Sequence, residues 1–310
     1  MINKRLFLIF VFWGSVLALV WFWPDKHFRV IFCDVGQGDA ILFSYRNYQV
    51  LVDGGANNKV LECLNDNIPF WDRNLEIVIL THPDKDHYSG LISVAERYRL
   101  SYFVWGGLER KNDNFEKLLA QLSNQNVILI KPNQNDEIAV DKMKIRFYWP
   151  DPKWLAKQLS DNQEKVVQVD TSKDYQSYQK GSVLAVFDDN SQMSFNDFSL
   201  IFTVSFADFD ILMMGDADSR IQPQILNSIG FSDVEVLKVA HHGSRYAFDD
   251  DFLASFKAVL AIISVGANPW GHPHPDLLSQ LDKFGLAVLR TDEEGSIKLA
   301  SDGHSWWREK

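Results

Sequence analysis

Thr81-His82-Pro83-Asp84-Lys85-Asp86-His87-Tyr88-Ser89-Gly90 places two imidazoles and two carboxylates between His82 and His87. Imidazole nitrogens and carboxylate oxygens are the donors that divalent cations share. In a turn, His82 and Asp84 can face one point while Asp86 and His87 face another a few ångströms away, so two neighbouring metal ions are the expected chemistry. The apolar run Ile77-Val78-Ile79-Leu80 precedes the cluster and Leu91-Ile92-Ser93-Val94-Ala95 follows it. That pattern predicts a buried strand, a turn and a helix. Ligands collect at such turns in open α/β sheets.

Other chemistry-bearing residues stand far from this cluster. Upstream are Asp34-Val35-Gly36-Gln37-Gly38-Asp39 and Val52-Asp53-Gly54-Gly55; downstream are Asn196 with Ser199-Leu200, Gly215-Asp216, His241-His242-Gly243-Ser244 and Gly271-His272-Pro273. The glycines between Asp34 and Asp39 allow close backbone approach or positive φ. Paired histidines at the end of the strand-like stretch Val234 to Ala240 are rarely mere packing. Adjacent residues in an extended chain point opposite ways, so His241 and His242 are not expected to reach one ion. His241 is taken as the ligand and His242 as a supporting or substrate-contacting residue.

In order and spacing these motifs resemble the metallo-β-lactamase superfamily, whose H-x-H-x-D-H turn lies between a strand and a helix. Asp84 stands where the second histidine usually does. That form resembles the metallohydrolase domain of ComEC-type competence proteins and the choline-phosphate esterases of bacterial surfaces. The resemblance spans about residues 28–302. It implies an α/β fold, an αββα sandwich of two mixed sheets with outer helices. It implies one metal held by His82, Asp84, His241 and Asp216, and a second by Asp86, His87, His272 and the same Asp216. Asp86 and Asp216 would lie closest to the reaction. Asp53 would orient the metal-binding turn and Asp39 lie near it, with Asn196, Ser199, His242 and Ser244 supporting the ligands or touching substrate.

Two adjacent cations would lower the pKa of a shared water and hold the charge growing on phosphorus. The implied activity is phosphodiester hydrolysis, with single-stranded DNA one candidate substrate. The alternatives are a choline-phosphate esterase or a lactam or ester hydrolase on the same centre, and a surface protein that binds metal without turnover. Asp84 in place of an imidazole makes the first site harder, which favours Mn²⁺ while admitting Zn²⁺. No G-x-S-x-G suggests a serine nucleophile.

The elements that must position these groups have ample material, since 46% of 310 residues are apolar and 13% aromatic. A formal charge of −10 excludes a broad basic surface for nucleic acid. Lys4 and Arg5 precede an uncharged apolar stretch, residues 6–23, ending in Trp21-Phe22-Trp23-Pro24. This is just long enough to span a bilayer, has an interfacial aromatic end and lacks a small-residue cleavage site. Residues 1–25 are therefore expected to be an uncleaved membrane anchor, and residues 26–310 a hydrolase domain outside the cytoplasm. Cys33 and Cys63 lack a C-x-x-C partner and are expected as small buried residues, with a disulfide left open. Residues 151–195 are polar and predicted as a long connection, a lid or a disordered loop; the resemblance implies that it lies near the site.

Overall fold

The computed structural model describes residues 4, 9–10, 12–14, 26–161, 166–167, 185–188, 194–226 and 234–310. Strands β1 (Phe28–Phe32), β2 (Ile41–Tyr45) and β3 (Tyr48–Val52) form the expected antiparallel meander. The chain continues through α1 (Lys59–Asn67), β4 (Asn74–Leu80), α2 (Lys85–Arg97), β5 (Arg99–Trp105), β6 (Leu108–Lys111), α3 (Asp113–Asn124) and β7 (Ile128–Ile130). Strands β3, β4, β5 and β7 run parallel, because a helix crosses over between β3 and β4 and another between β4 and β5. The second half comprises β8 (Glu137–Val140), β9 (Met143–Trp149), α4 (Pro152–Asp161), β10 (Val166–Val167), β11 (Ala185–Asp188), β12 (Ile201–Phe206), β13 (Phe209–Met213), α5 (Gln222–Leu226), β14 (Val236–Lys238), α6 (Asp250–Ala254), β15 (Leu260–Ile263), α7 (Pro275–Lys283), β16 (Ala287–Arg290), α8 (Thr291–Glu294), β17 (Ile297–Ser301) and β18 (Trp306–Glu309).

Two mixed sheets result, ordered β18-β17-β1-β2-β3-β4-β5-β7 and β16-β15-β14-β13-β12-β9-β8. Their facing sides meet in one apolar layer, with Val30, Phe43 and Ile79 of the first sheet against Ile145, Phe202 and Ile211 of the second. Helices α1, α2 and α3 cover the outer face of the first sheet through Leu64, Leu91 and Leu118. Helices α5, α6 and α7 cover the second through Ile225, Phe252 and Leu281. This is the predicted αββα sandwich. Strand β9 shows why period two works as a signal: Met143, Ile145, Phe147 and Trp149 are buried while Lys144 and Arg146 are exposed.

Several local expectations change. Cys33 and Cys63 form a disulfide that ties the end of β1 to α1. The segment 151–195 is not all loop: Asp151 caps α4 by accepting from the Trp154 backbone N–H, and Pro152 opens the helix. Trp154, Leu155 and Leu159 of α4 pack on Leu108, Phe195 and Phe198. Strand β11 pairs with β10 and with β6 in a small third sheet. The strands at 287–290 and 297–301 lie in different sheets, β16 beside β15 and β17 beside β1, so the closing segment crosses the sandwich through α8. The expected anchor, residues 1–25, lies outside the described residues except for 4, 9–10 and 12–14. Among those described, no helix is long and apolar enough to cross a membrane.

Candidate metal centre

The site lies along one edge of the sandwich, at the C-terminal ends of β4 in one sheet and β13, β14 and β15 in the other. β4 delivers Thr81 to His87 directly into α2, for which Asp84 is the N-terminal flanking residue. β13 ends before Gly215-Asp216, and β14 before a short turn Ala240–Gly243 that carries His241 and His242. β15 leads to the loop bearing His272. The loop Asp34 to Asp39 closes over α2's first turn: Asp39 N–H donates to Asp86 O at 3.2 Å. A Cβ on Gly38 would overlap that same carbonyl oxygen, so the glycine is needed for this approach.

Three buried histidines are held in one tautomer. Asp53 accepts from Thr81 N at 2.8 Å, from Thr81 Oγ1 at 2.7 Å and from His87 Nδ1 at 2.9 Å. With its proton given to Asp53, the Thr81 hydroxyl oxygen accepts from His82 Nδ1 at 3.1 Å. His242 Nδ1 faces the Ser264 carbonyl at 3.0 Å, which can only accept. Each ring therefore turns Nε2 toward the site, and the Nε2 atoms of His82, His87 and His242 are buried without a hydrogen-bond partner, as is Asp216 Oδ1.

These nitrogens face carboxylates. His242 Nε2 lies 3.2 Å from Asp86 Oδ2 and 3.6 Å from Asp216 Oδ2, and His87 Nε2 lies 3.3 Å from Asp216 Oδ1. His82 Nε2 is 3.5 Å from Asp84 Oδ2 and 3.8 Å from Asp216 Oδ2. A lone pair aimed at a carboxylate is repulsive unless a proton or cation stands between them. Donors about 2.1 Å from a tetrahedral cation stand about 3.4 Å from one another, close to these separations. Asp86, His87, Asp216 and His242 all offer donor atoms within 4.8 Å of one another. The residues fit a divalent ion.

Without an ion, protons fill that role. Burial lowers the His242 pKa, but Asp216, Asp39 and Asp86 overcome it and raise it to about 10. His87 is raised well above its ordinary value, against burial, by Asp216 and Asp53. Burial works to raise Asp216, yet His242, His87 and His82 hold it well below the usual carboxylate range.

The positions of the other candidates are less uniform. His242, and not His241, stands where Asp86, His87 and Asp216 converge. The expectation of alternation fails because both residues are left-handed, His241 at φ 48° and His242 at φ 54°, so this is a tight turn and no strand. His241 Nε2 is 4.0 Å from Asp216 Oδ2, and its Nδ1 is 3.2 Å from Asn196 Nδ2. His272 stands outside the cluster formed by Asp86, His87, Asp216 and His242; its ring lies 5.4 Å from that of His241, and its Nδ1 is buried without a hydrogen-bond partner. Burial, His241 and His242 lower its pKa to about 4. Ser199 Oγ accepts from the Asp216 backbone N–H at 3.2 Å. Ser244 is buried and its Oγ accepts from Tyr246 N. His274 caps α7, accepting from Asp276 N.

Two supporting cations escaped the sequence. Lys238 is fully buried, with Nζ 2.8 Å from Asp39 Oδ2 and donating to Val239 O at 2.8 Å. Asp39 Oδ1 in turn is 3.4 Å from His242 Nδ1. A lysine inside an otherwise apolar strand was the legible signal of a buried ion pair. Arg110 on β6 donates through Nε and Nη2 to Asp84 Oδ1, leaving Oδ2 toward His82. Nothing near Arg110 in the sequence marks it.

No family model matches the chain. It is 23% identical over 307 residues to "ComE operon protein 3" of Bacillus subtilis, covering 92% of this chain and 34% of that protein. It is also 23% identical over 273 residues to "Recombination protein 2" of Haemophilus influenzae, covering 86% of this chain and 28% of the other. The chain thus spans about a third of the length of the curated relatives it matches. Among solved structures, the metallo-β-lactamase fold protein YhfI from Bacillus subtilis aligns with TM-score 0.51 and 13% identity, over 89% of this chain and 100% of that one. The chain accordingly has the metallo-β-lactamase fold and is similar in sequence to a ComEC-like segment of much longer proteins.

Proposed function

We propose that the protein is a dinuclear metal-dependent hydrolase that cleaves phosphodiesters outside the cytoplasm while tethered to the cell membrane. The observation that carries this is the set of three buried Nε2 atoms, each fixed in its tautomer from behind and each facing a carboxylate. His82 and Asp84 would hold one Zn²⁺ or Mn²⁺ ion. Bound divalent ions would supply an activated water and compensate charge on a phosphoryl oxygen.

The chain's own groups do the rest. Asp53 and Thr81 fix His82 and His87, Ser264 and the Lys238–Asp39 pair fix His242, and Arg110 fixes Asp84. Such outer partners commonly change metal affinity or activity 10–100-fold when removed, on the order given by other metal sites. The rings of His241 and His272 stand 5.4 Å apart beside this cluster. Burial lowers both pKa values, which favours the neutral imidazole able to accept a hydrogen bond from a substrate.

The disulfide supports an oxidising compartment, and the apolar residues 6–23 support a tether. The resemblance to ComEC-type metallohydrolase domains implies phosphodiester chemistry on nucleic acid, and the name of one longer relative, "Recombination protein 2", accords with a nucleic-acid substrate. The test is a substrate panel on the full chain with Mn²⁺ or Zn²⁺: a bis-aryl phosphodiester, single-stranded DNA, a choline-phosphate ester and a lactam. Asp216→Ala should lower phosphodiester turnover by about 10²–10³-fold or more, the scale seen when a dominant electrostatic group is lost. Unchanged turnover in that variant would refute the proposal; metal bound without turnover on any substrate would favour a binding protein.

A further inference from the structure

At the sheet edge opposite the metal centre, the segment between α1 and β4 makes a tight turn in which Asp72 N donates to Pro69 O at 2.8 Å. Its two central residues are Phe70 and Trp71, exposed by 75% and 49%, with their rings packed edge-to-face at 4.9 Å. Turn tips ordinarily carry Gly, Asn, Asp or Ser. Two large aromatics there oppose both turn chemistry and solubility. The turn is well fixed: Ile68 is buried beside it and Asp72 Oδ1 accepts from Asn74 N at 3.1 Å.

The same edge receives the start of the domain. Phe28 pairs with Tyr45, Tyr45 with Tyr48, and β3 runs parallel to β4. The first residues of β1, β3 and β4 therefore share one edge, which also carries Tyr48, 40% exposed, and the exposed Lys26 and Arg73. Arg46 on this edge pairs with Asp141 at 3.5 Å, and Asp72 and Glu76 accept from the backbone N–H groups of Asn74 and Gln49. Only residues 24–27 separate the apolar stretch from β1. Extended, they reach roughly 14 Å. β4 places the metal centre roughly 20 Å away at the other end.

We infer that this edge rests on the headgroup layer of the bilayer, with Phe70, Trp71 and Tyr48 in the interface and the metal centre facing away from the membrane. The inference rests on the tether proposed above. Amphipathic aromatic rings suit the interface, and the exposed Lys26 and Arg73 suit anionic headgroups. The consequence for substrate is definite: a site held on the far edge meets polymers in the surrounding solution or wall, and not the phosphodiesters of the lipids beneath it.

The test uses the full chain in anionic liposomes. Both native cysteines are bonded to each other, so Phe70→Cys and, separately, Trp270→Cys each provide one free thiol for an environment-sensitive fluorophore. Trp270 is 63% exposed in the loop before His272, on the metal-centre edge. The expected result is a blue shift and several-fold quenching by lipid-borne nitroxide at position 70, and neither at position 270. A chain that stays with liposomes through an alkaline wash but shows no lipid quenching at position 70 overturns the inference and leaves the tether standing. Quenching at both positions, or a blue shift at 70 without lipid quenching, overturns it too, the latter meaning that a second copy or another protein segment covers the turn. Release by the alkaline wash would remove tether and docking together.

Discussion

At the scale of single residues, the metal centre is defined by what lies behind each ligand as much as by the ligand. His241 and His242 are chemically identical neighbours, yet only His242 has a carbonyl, Ser264 O, fixing its Nδ1. His242→Ala should therefore lose an ion in metal analysis, while His241→Ala should retain it and chiefly raise KM. The Lys238–Asp39 pair makes a second prediction. Burial raises the Asp39 pKa, but Lys238 and His242 more than offset this and hold it at about 2. A depressed carboxylate pKa stabilises the fold above the unfolded value and loses that contribution as pH falls through the folded value. The pair's contribution should accordingly be complete above about pH 4 and vanish toward pH 2, which acid denaturation of Lys238→Met against wild type would show. Breaking one side of a buried pair typically costs about 3–5 kcal/mol, and adding Asp39→Asn should recover part of it.

At the scale of elements, short connections turn strand ends into ligand carriers. The Cys33–Cys63 disulfide pins the strand that begins the Asp34 to Asp39 loop to α1, across a separation of 30 residues. Loop-closure entropy assigns such a link about 3.5 kcal/mol. Replacing both cysteines with alanine should lower unfolding stability by that order, measured by denaturant titration, with the ligand cluster itself unchanged in composition. The helix α4 illustrates a signal present but overlooked: Asp151 followed by Pro152, then Trp154, Leu155 and Leu159 at helical spacing. Its polar surroundings in the sequence concealed it.

At the scale of the whole molecule, five carboxylates (Asp39, Asp53, Asp84, Asp86 and Asp216) and three buried imidazoles gather at one edge, where a divalent ion would replace the protons that otherwise sit between them. Metal should therefore stabilise the fold itself. At a free concentration one hundred times Kd the gain is about 2.7 kcal/mol for one site, readable as a rise in melting temperature with Mn²⁺ or Zn²⁺ and its reversal by chelator. Asp216→Ala should abolish most of that rise. The dense turn from His82 to His87, the strand before it and the period-two burial of β9 were settled locally, because metal-ligand types and side-chain alternation are written in neighbouring residues. What the sandwich alone decided was which distant groups meet: His242, more closely than His241, beside Asp86, His87 and Asp216, Lys238 beneath Asp39, Arg110 beside Asp84, and β16 and β17 in separate sheets. Those outcomes depend on left-handed backbone at His241 and His242 and on contacts between strand ends remote in sequence, and neither is encoded in the pattern of adjacent side chains.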